Sequence, residues 1–179
     1  LLHQRGWCDG TGGNFSVVVN QQPLRLLMAP SGVDKGSVDP VDLIEVNSDA
    51  EVIRGCGKAS AETLLHLRII DCCGAGAVLH THSITGTLLS KVELARGCVN
   101  LQGWEMLKGL KGVTTHDTRV SVPVIANNQD LQQLSDSAAT RLNDAPHGLL
   151  VSGHGLYAWG ENLKEARRHT EILEFLLEL

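Results

Sequence analysis

A chain of 179 residues, 42% hydrophobic and 20% charged, can bury one core but hardly two, so a single domain spanning residues 1–179 is expected. A formal net charge of −5 without any dense Lys/Arg run argues against nucleic acid or an anionic membrane surface as partner, and favours a small polar ligand. No apolar run approaches the roughly 20 residues of a membrane-crossing helix, and five cysteines without a C-x-x-C pair read as reduced thiols of a cytoplasmic protein.

The chain opens on Leu1 rather than Met, and a helix ahead of "LLHQRGW" is expected to be truncated from it. Short apolar, β-branched segments then predict strands at Phe15–Asn20, Arg25–Ala29 and Val41–Val46. A helix starting near Ser60 carries Ala61, Leu64, Leu65 and Ile69 at helical spacing, and Gly74 can end it in the left-handed conformation. Strands follow at Ala77–Thr81 and Val120–Ala126, then a helix through "QDLQQLSDSAATRLND", then strands at Gly148–Ser152 and Leu156–Trp159. The last helix is "NLKEARRHTEILEFLLEL", with Asn162 as cap, Glu165 completing a capping box and "EILEFLLEL" assigned to the core. Hairpin-like pairs early and helix-separated strands later indicate a layered α/β sheet.

Chemistry concentrates at "GAGAVLHTHSITG", residues 74–86. On a strand, alternation points His80 and His82 to one side and Thr81 to the other. A catalytic zinc takes three protein ligands and keeps one position open, so a third ligand is needed. His3, His66 and His169 fall on amphipathic helical patterns, and His116 and His147 on polar loop-like ground. His154, in "LLVSGHGLYAWG", directly follows an apolar strand and lies between two glycines that allow close backbone approach; it is the candidate third ligand. A hydrogen-bonded core histidine remains the alternative for each. A proton-transfer partner beside a metal points to Glu62 or Glu105. An acid is also ordinary at a helix start, as at Glu62, and Glu105 in "GWEMLKGLK" reads equally as a solvated helix face. The string "GCGKAS" lacks P-loop spacing.

In order, "GTGGNFS", "APSGVDKG", "KASAETLLH", "GAGAVLHTHS", "GWEMLKG" and "GHGLYAWG" resemble the class II aldolase/adducin family, and within it the methylthioribulose-1-phosphate dehydratases of methionine salvage. The resemblance implies a three-layer α/β fold whose central mixed, mainly antiparallel sheet is flanked by helices. It implies one Zn2+ per subunit, or another divalent transition metal, on His80, His82 and His154, with Glu105 as acid/base. The substrate implied is a phosphorylated ketose, 5-methylthioribulose 1-phosphate, dehydrated to 2,3-diketo-5-methylthiopentyl 1-phosphate.

By the same resemblance Asn14, Ser31, Gly32 and Ser60 match the phosphate-binding positions of related aldolases, while Ala61 stands where a second serine is common. Glycine-freed N–H groups, hydroxyls and a helix N-terminus all suit an anion, although "GTGGN" and "PSG" are also ordinary turn strings. Lys35 and Lys108 read as solvated surface lysines. Glu62 matches a proton-transfer glutamate of the aldolases, which keeps a fuculose- or ribulose-phosphate type aldolase as the alternative. A non-catalytic adducin-like interaction domain is a remoter one. A cupin is disfavoured because Ile84, Thr85 and Gly86 occupy the place of its glutamate. Kinship also implies a ring-like homotetramer with active sites near subunit boundaries.

Overall fold

Alternation along the central strands sorts the helices into two layers. The computed structural model describes residues 1–179. Its strands are β1 (Asn14–Gln21), β2 (Leu24–Met28), β3 (Ile44–Asn47), β4 (Val52–Arg54) and β5 (Ala77–Thr81), then β6 (Cys98–Leu101), β7 (Val120–Ile125), β8 (Gly148–Val151) and β9 (Gly155–Gly160). They form one sheet in the order β4-β3-β2-β1-β5-β9-β8-β7-β6. Only β7 and β8 pair in parallel, so the sheet is mixed and mainly antiparallel.

Four helices cover it: α1 (Thr63–Cys73), α2 (Ile84–Val92), α3 (Leu131–Leu142) and α4 (Leu163–Glu178). Val78, Leu149, Val151, Tyr157 and Trp159 face Leu65, Ile69, Leu134 and Ala138 of α1 and α3. The alternate residues Leu150, Leu156 and Ala158 face Leu173, Leu176 and Leu177 of α4, beside which α2 packs. Both faces of the central strands are therefore dry, and fully burying each such aliphatic side chain stabilises the fold by about 1.5–3 kcal/mol.

Local chemistry sets the element ends. Gly74 caps α1 at φ 63, as its sequence position predicts. Asn162 Oδ1 accepts the Glu165 N–H, and the Glu165 carboxylate reaches back to the Glu161 N–H, one residue before the expected partner. The strand expected at Val41–Val46 begins only at Ile44. Pro40, whose φ is locked and which lacks an N–H, opens a 3₁₀ turn over Pro40–Asp42 instead, with the Asp39 side chain accepting the Val41 N–H. Helix α2 and strands β4 and β6 have no counterpart in the sequence reading. Gly86 and two threonines are weak helix formers, and α2 depends on Ser83, whose Oγ accepts the Gly86 N–H at 3.0 Å.

Candidate active site

The register of three adjacent strands puts Asn14 of β1, His80 of β5 and Tyr157 of β9 side by side. His80 shares the face of Val78, toward α1, and His82 follows on the same side just past the strand end. His154 comes from the β8–β9 turn. Gly155 must be glycine there: a Cβ on it would lie 2.0 Å from the Thr81 carbonyl oxygen, so only a bare backbone lets β9 close on β5.

These elements bring the three histidines together. His80 Nε2 is 2.8 Å from His82 Nε2 and 3.3 Å from His154 Nε2, and one ligand atom from each ring lies within 4.8 Å of the others. Nitrogens bonded tetrahedrally to one zinc are separated by about 3.3 Å. His80 Nδ1 donates to the Leu156 carbonyl at 2.9 Å, which leaves Nε2 as a lone pair aimed into the cluster. Burial lowers the pKa of His80 and of His82, against the pull of Glu62, and keeps both rings neutral. Neutral imidazoles turning nitrogens on one another repel unless a proton or cation lies between them, so the donor set fits a divalent transition metal with a position left open. The Tyr157 ring stacks on His80 with centroids 3.9 Å apart and planes at 8°, fixing the plane of that imidazole.

Glu62, at the start of α1, closes the cluster. Its Oε1 is 2.9 Å from His154 Nε2 and its Oε2 3.8 Å from His80 Nε2, while Asn14 Nδ2 donates to Oε2. Burial would raise this carboxyl, but the His154 hydrogen bond, the charge of the His80 and His154 rings when they take up a proton, and the Asn14 amide hold it down at about 2. It is a carboxylate at neutral pH. Behind it, His66 is fully buried with Nδ1 2.7 Å from Ser16 Oγ.

A cavity of about 420 Å³ opens over the cluster. His82, His154 and Glu62 lie along it, and Ser31, Gly32 and Ser60 line it as well. The Ser60 hydroxyl accepts the Glu62 N–H at 3.3 Å, leaving its own proton for a ligand. Lys35, read from sequence as solvated, instead lines this cavity, half-buried, with Nζ donating to the Val33 and Thr11 carbonyls. Asn127 and Gln129, on the β7–α3 loop, also line it; nothing in their local sequence distinguishes them from ordinary loop amides. His147, assigned to polar loop ground, is buried at 6% exposure just ahead of β8.

Glu105 lies elsewhere. It begins a 3₁₀ turn over Glu105–Gly109, is 70% exposed, and pairs with Lys108 Nζ at 2.5 Å. That turn packs through Leu107 and Leu110 against α4, in the layer on the opposite face of the sheet from His80 and the cavity. Of the nine sequence-selected site residues, eight therefore gather around one cavity of this chain, and Glu105 does not.

Residues 1–179 match the family described as Class II Aldolase and Adducin N-terminal domain. A methylthioribulose-1-phosphate dehydratase of Serratia proteamaculans (strain 568) is 44% identical over 180 residues, covering 99% of this chain and 87% of that protein. One of Xanthomonas campestris pv. campestris (strain 8004) is 43% identical over 178 residues, covering 98% and 81%. Among solved structures, L-fuculose-1-phosphate aldolase from Thermus thermophilus superimposes with a TM-score of 0.76 at 28% identity, covering 99% of this chain and 86% of that one.

Proposed function

The chain belongs to the class II aldolase and adducin family, and on that premise we propose that it is a lyase dehydrating 5-methylthioribulose 1-phosphate to 2,3-diketo-5-methylthiopentyl 1-phosphate. The observation that carries this reading is the convergence of three imidazole nitrogens along a polar cavity that also holds hydroxyls, a lysine and a helix start. A cation on His80, His82 and His154, for which Zn2+ is the proposed ion, supplies Lewis acidity toward the ketone oxygen. Ser31, Ser60, the Gly32 backbone and Lys35 hold the phosphate, aided by the N-terminal end of α1. Asn14 belongs to this group by resemblance, but its amide is already engaged by Glu62, so its contribution is to orient that carboxylate.

Two carboxylates are available for the proton steps. Glu105 takes the C3 proton and returns one to the departing C4 hydroxyl. Because it is remote from its own cavity, it acts on a neighbouring copy of the chain. Two apolar surfaces support that arrangement. Trp104 and Met106 are exposed on either side of Glu105, and Ile84, Leu88 and Val92 form an exposed stripe on α2. Ile84 and Leu88 line a second opening, of about 610 Å³, that also reaches His82 and His154. Docking one surface on the other in a closed ring, a homotetramer by kinship, brings Glu105 to the neighbour's metal. A cytoplasmic setting belongs to the same reading and is supported by five free cysteines.

One observation favours a second reading, a sugar-phosphate aldolase: Glu62, not Glu105, is the carboxylate within hydrogen-bond reach of the triad. The purified protein is to be incubated with 5-methylthioribulose 1-phosphate and, separately, with fuculose and ribulose phosphates. Diketone from the first alone is expected, and release of dihydroxyacetone phosphate would establish the aldolase instead.

A further inference from the structure

Thr81 lies between His80 and His82 and faces the opposite layer, where its hydroxyl donates to Oε1 of Glu174 on α4. Glu174 has no exposed surface, and the hydroxyls of Thr81 and Ser83 are the hydrogen-bonding groups against its carboxyl. Its neighbours Leu173, Leu176 and Leu177 are core residues, whereas Phe175 beside it is 41% exposed. A carboxyl group has thus been taken into an apolar layer with no cation to balance it, which is unfavourable unless the group holds something in place. Burial pushes its pKa up, against the Ser83 and Thr81 hydroxyls.

The same carboxyl also abuts the residue after His82. Ser83 Oγ caps α2 through Gly86 N, and a Cβ on Gly86 would lie 2.8 Å from Ser83 Oγ and 3.5 Å from Glu174 Oε2. Thr81, Ser83 and Glu174 therefore pack as a unit that leaves no ready space for a larger residue at position 86. Helix α4 is itself anchored against β9 and β5 by its apolar face. We propose that Glu174 is a positioning residue of the metal centre: from α4 it holds the Thr81–Ser83 backbone from behind and so aims the ring of His82. This rests on the reading of the three histidines as metal ligands.

The test is a titration of the purified full chain with Co2+, following visible absorption, alongside thermal unfolding in chelator. The unmodified chain is expected to bind Co2+ with a ligand-field spectrum; absence of binding would overturn the metal-site reading itself. Glu174→Gln keeps an acceptor for Thr81 and is expected to retain affinity and spectrum. Glu174→Leu is expected to lower Co2+ affinity about 10- to 100-fold and shift the bands, and Thr81→Val, which loses only the hydroxyl, to move both the same way by less. A purely structural role would lower the unfolding temperature and leave the spectrum of the folded protein unchanged. Wild-type affinity and spectrum in the Leu and Val variants would overturn the proposal; if the Leu variant does not fold, Thr81→Val decides.

Discussion

Replacing each glycine beside His154 by alanine separates backbone strain from closure of the proposed metal site. At Gly155 a methyl group would lie 2.0 Å from the Thr81 carbonyl oxygen and 3.3 Å from His80 Cε1. A comfortable carbon–oxygen contact is about 3.3 Å, so the start of β9 must retreat from β5 by more than an ångström, carrying His154 from His80. Overpacking of this kind destabilises by roughly 1–3 kcal/mol. For a chain of this size that lowers the unfolding temperature by about 2–12 °C. Misplacing one ligand of three is expected to weaken divalent-metal binding about 100-fold, the upper range for disturbing a ligand's support. Gly153 is the control. Its φ of +65 makes alanine there strained by about 1–2 kcal/mol, yet the nearest atom to the new methyl is Lys91 Cδ at 3.7 Å, an ordinary contact. Gly153→Ala should therefore unfold at lower temperature while binding metal nearly as tightly as the unmodified chain. Chelator competition measures the affinity, and calorimetry in chelator the stability. Unimpaired metal binding by Gly155→Ala, or equal loss in both variants, would refute the reasoning.

Glu105→Gln is expected to lower kcat by about 10²–10⁴-fold with metal content unchanged; mixing it with inactive His82→Ala protomers should restore activity, since an intact triad on one chain then meets Glu105 of another, and no recovery would place the carboxylate's action within a single chain. Acid should destabilise the metal-free protein through His66, whose burial lowers its pKa from 6.5 to about 4. The folded state thus binds the proton less readily than the unfolded chain, and the stability tied to the neutral ring is intact above pH 6.5 and falls away as the pH drops toward 4. A shift of that size is worth about 3 kcal/mol. Urea titrations across this range should show a shallower decline for His66→Leu, and an unaltered slope would show that His66 is not among the titrating groups.

Periodicity and local signals carried most of the architecture. The strand Ala77–Thr81, the left-handed stop at Gly74 and the Asn162 cap are each set by chemistry within a few residues, so they are legible without a partner. His80 and His82 share a face because strand alternation is a property of the backbone alone. What the chain could not disclose depends on contacts distant in sequence. The parallel β7–β8 pairing, the stacking of Tyr157 on His80, the entry of Lys35 into the cavity and the burial of Glu174 while Phe175 stays exposed all depend on which strands and helices meet. Glu174 reads as one more charge in "EILEFLLEL" until Thr81, 93 residues earlier, is found against it. Residue types and their spacing thus determined that three imidazoles were available, because ligand chemistry belongs to the side chain. Whether their nitrogens meet, and that Glu105 stands apart from them, was decided by tertiary packing, because which strands and layers a segment joins does not follow from sequence separation.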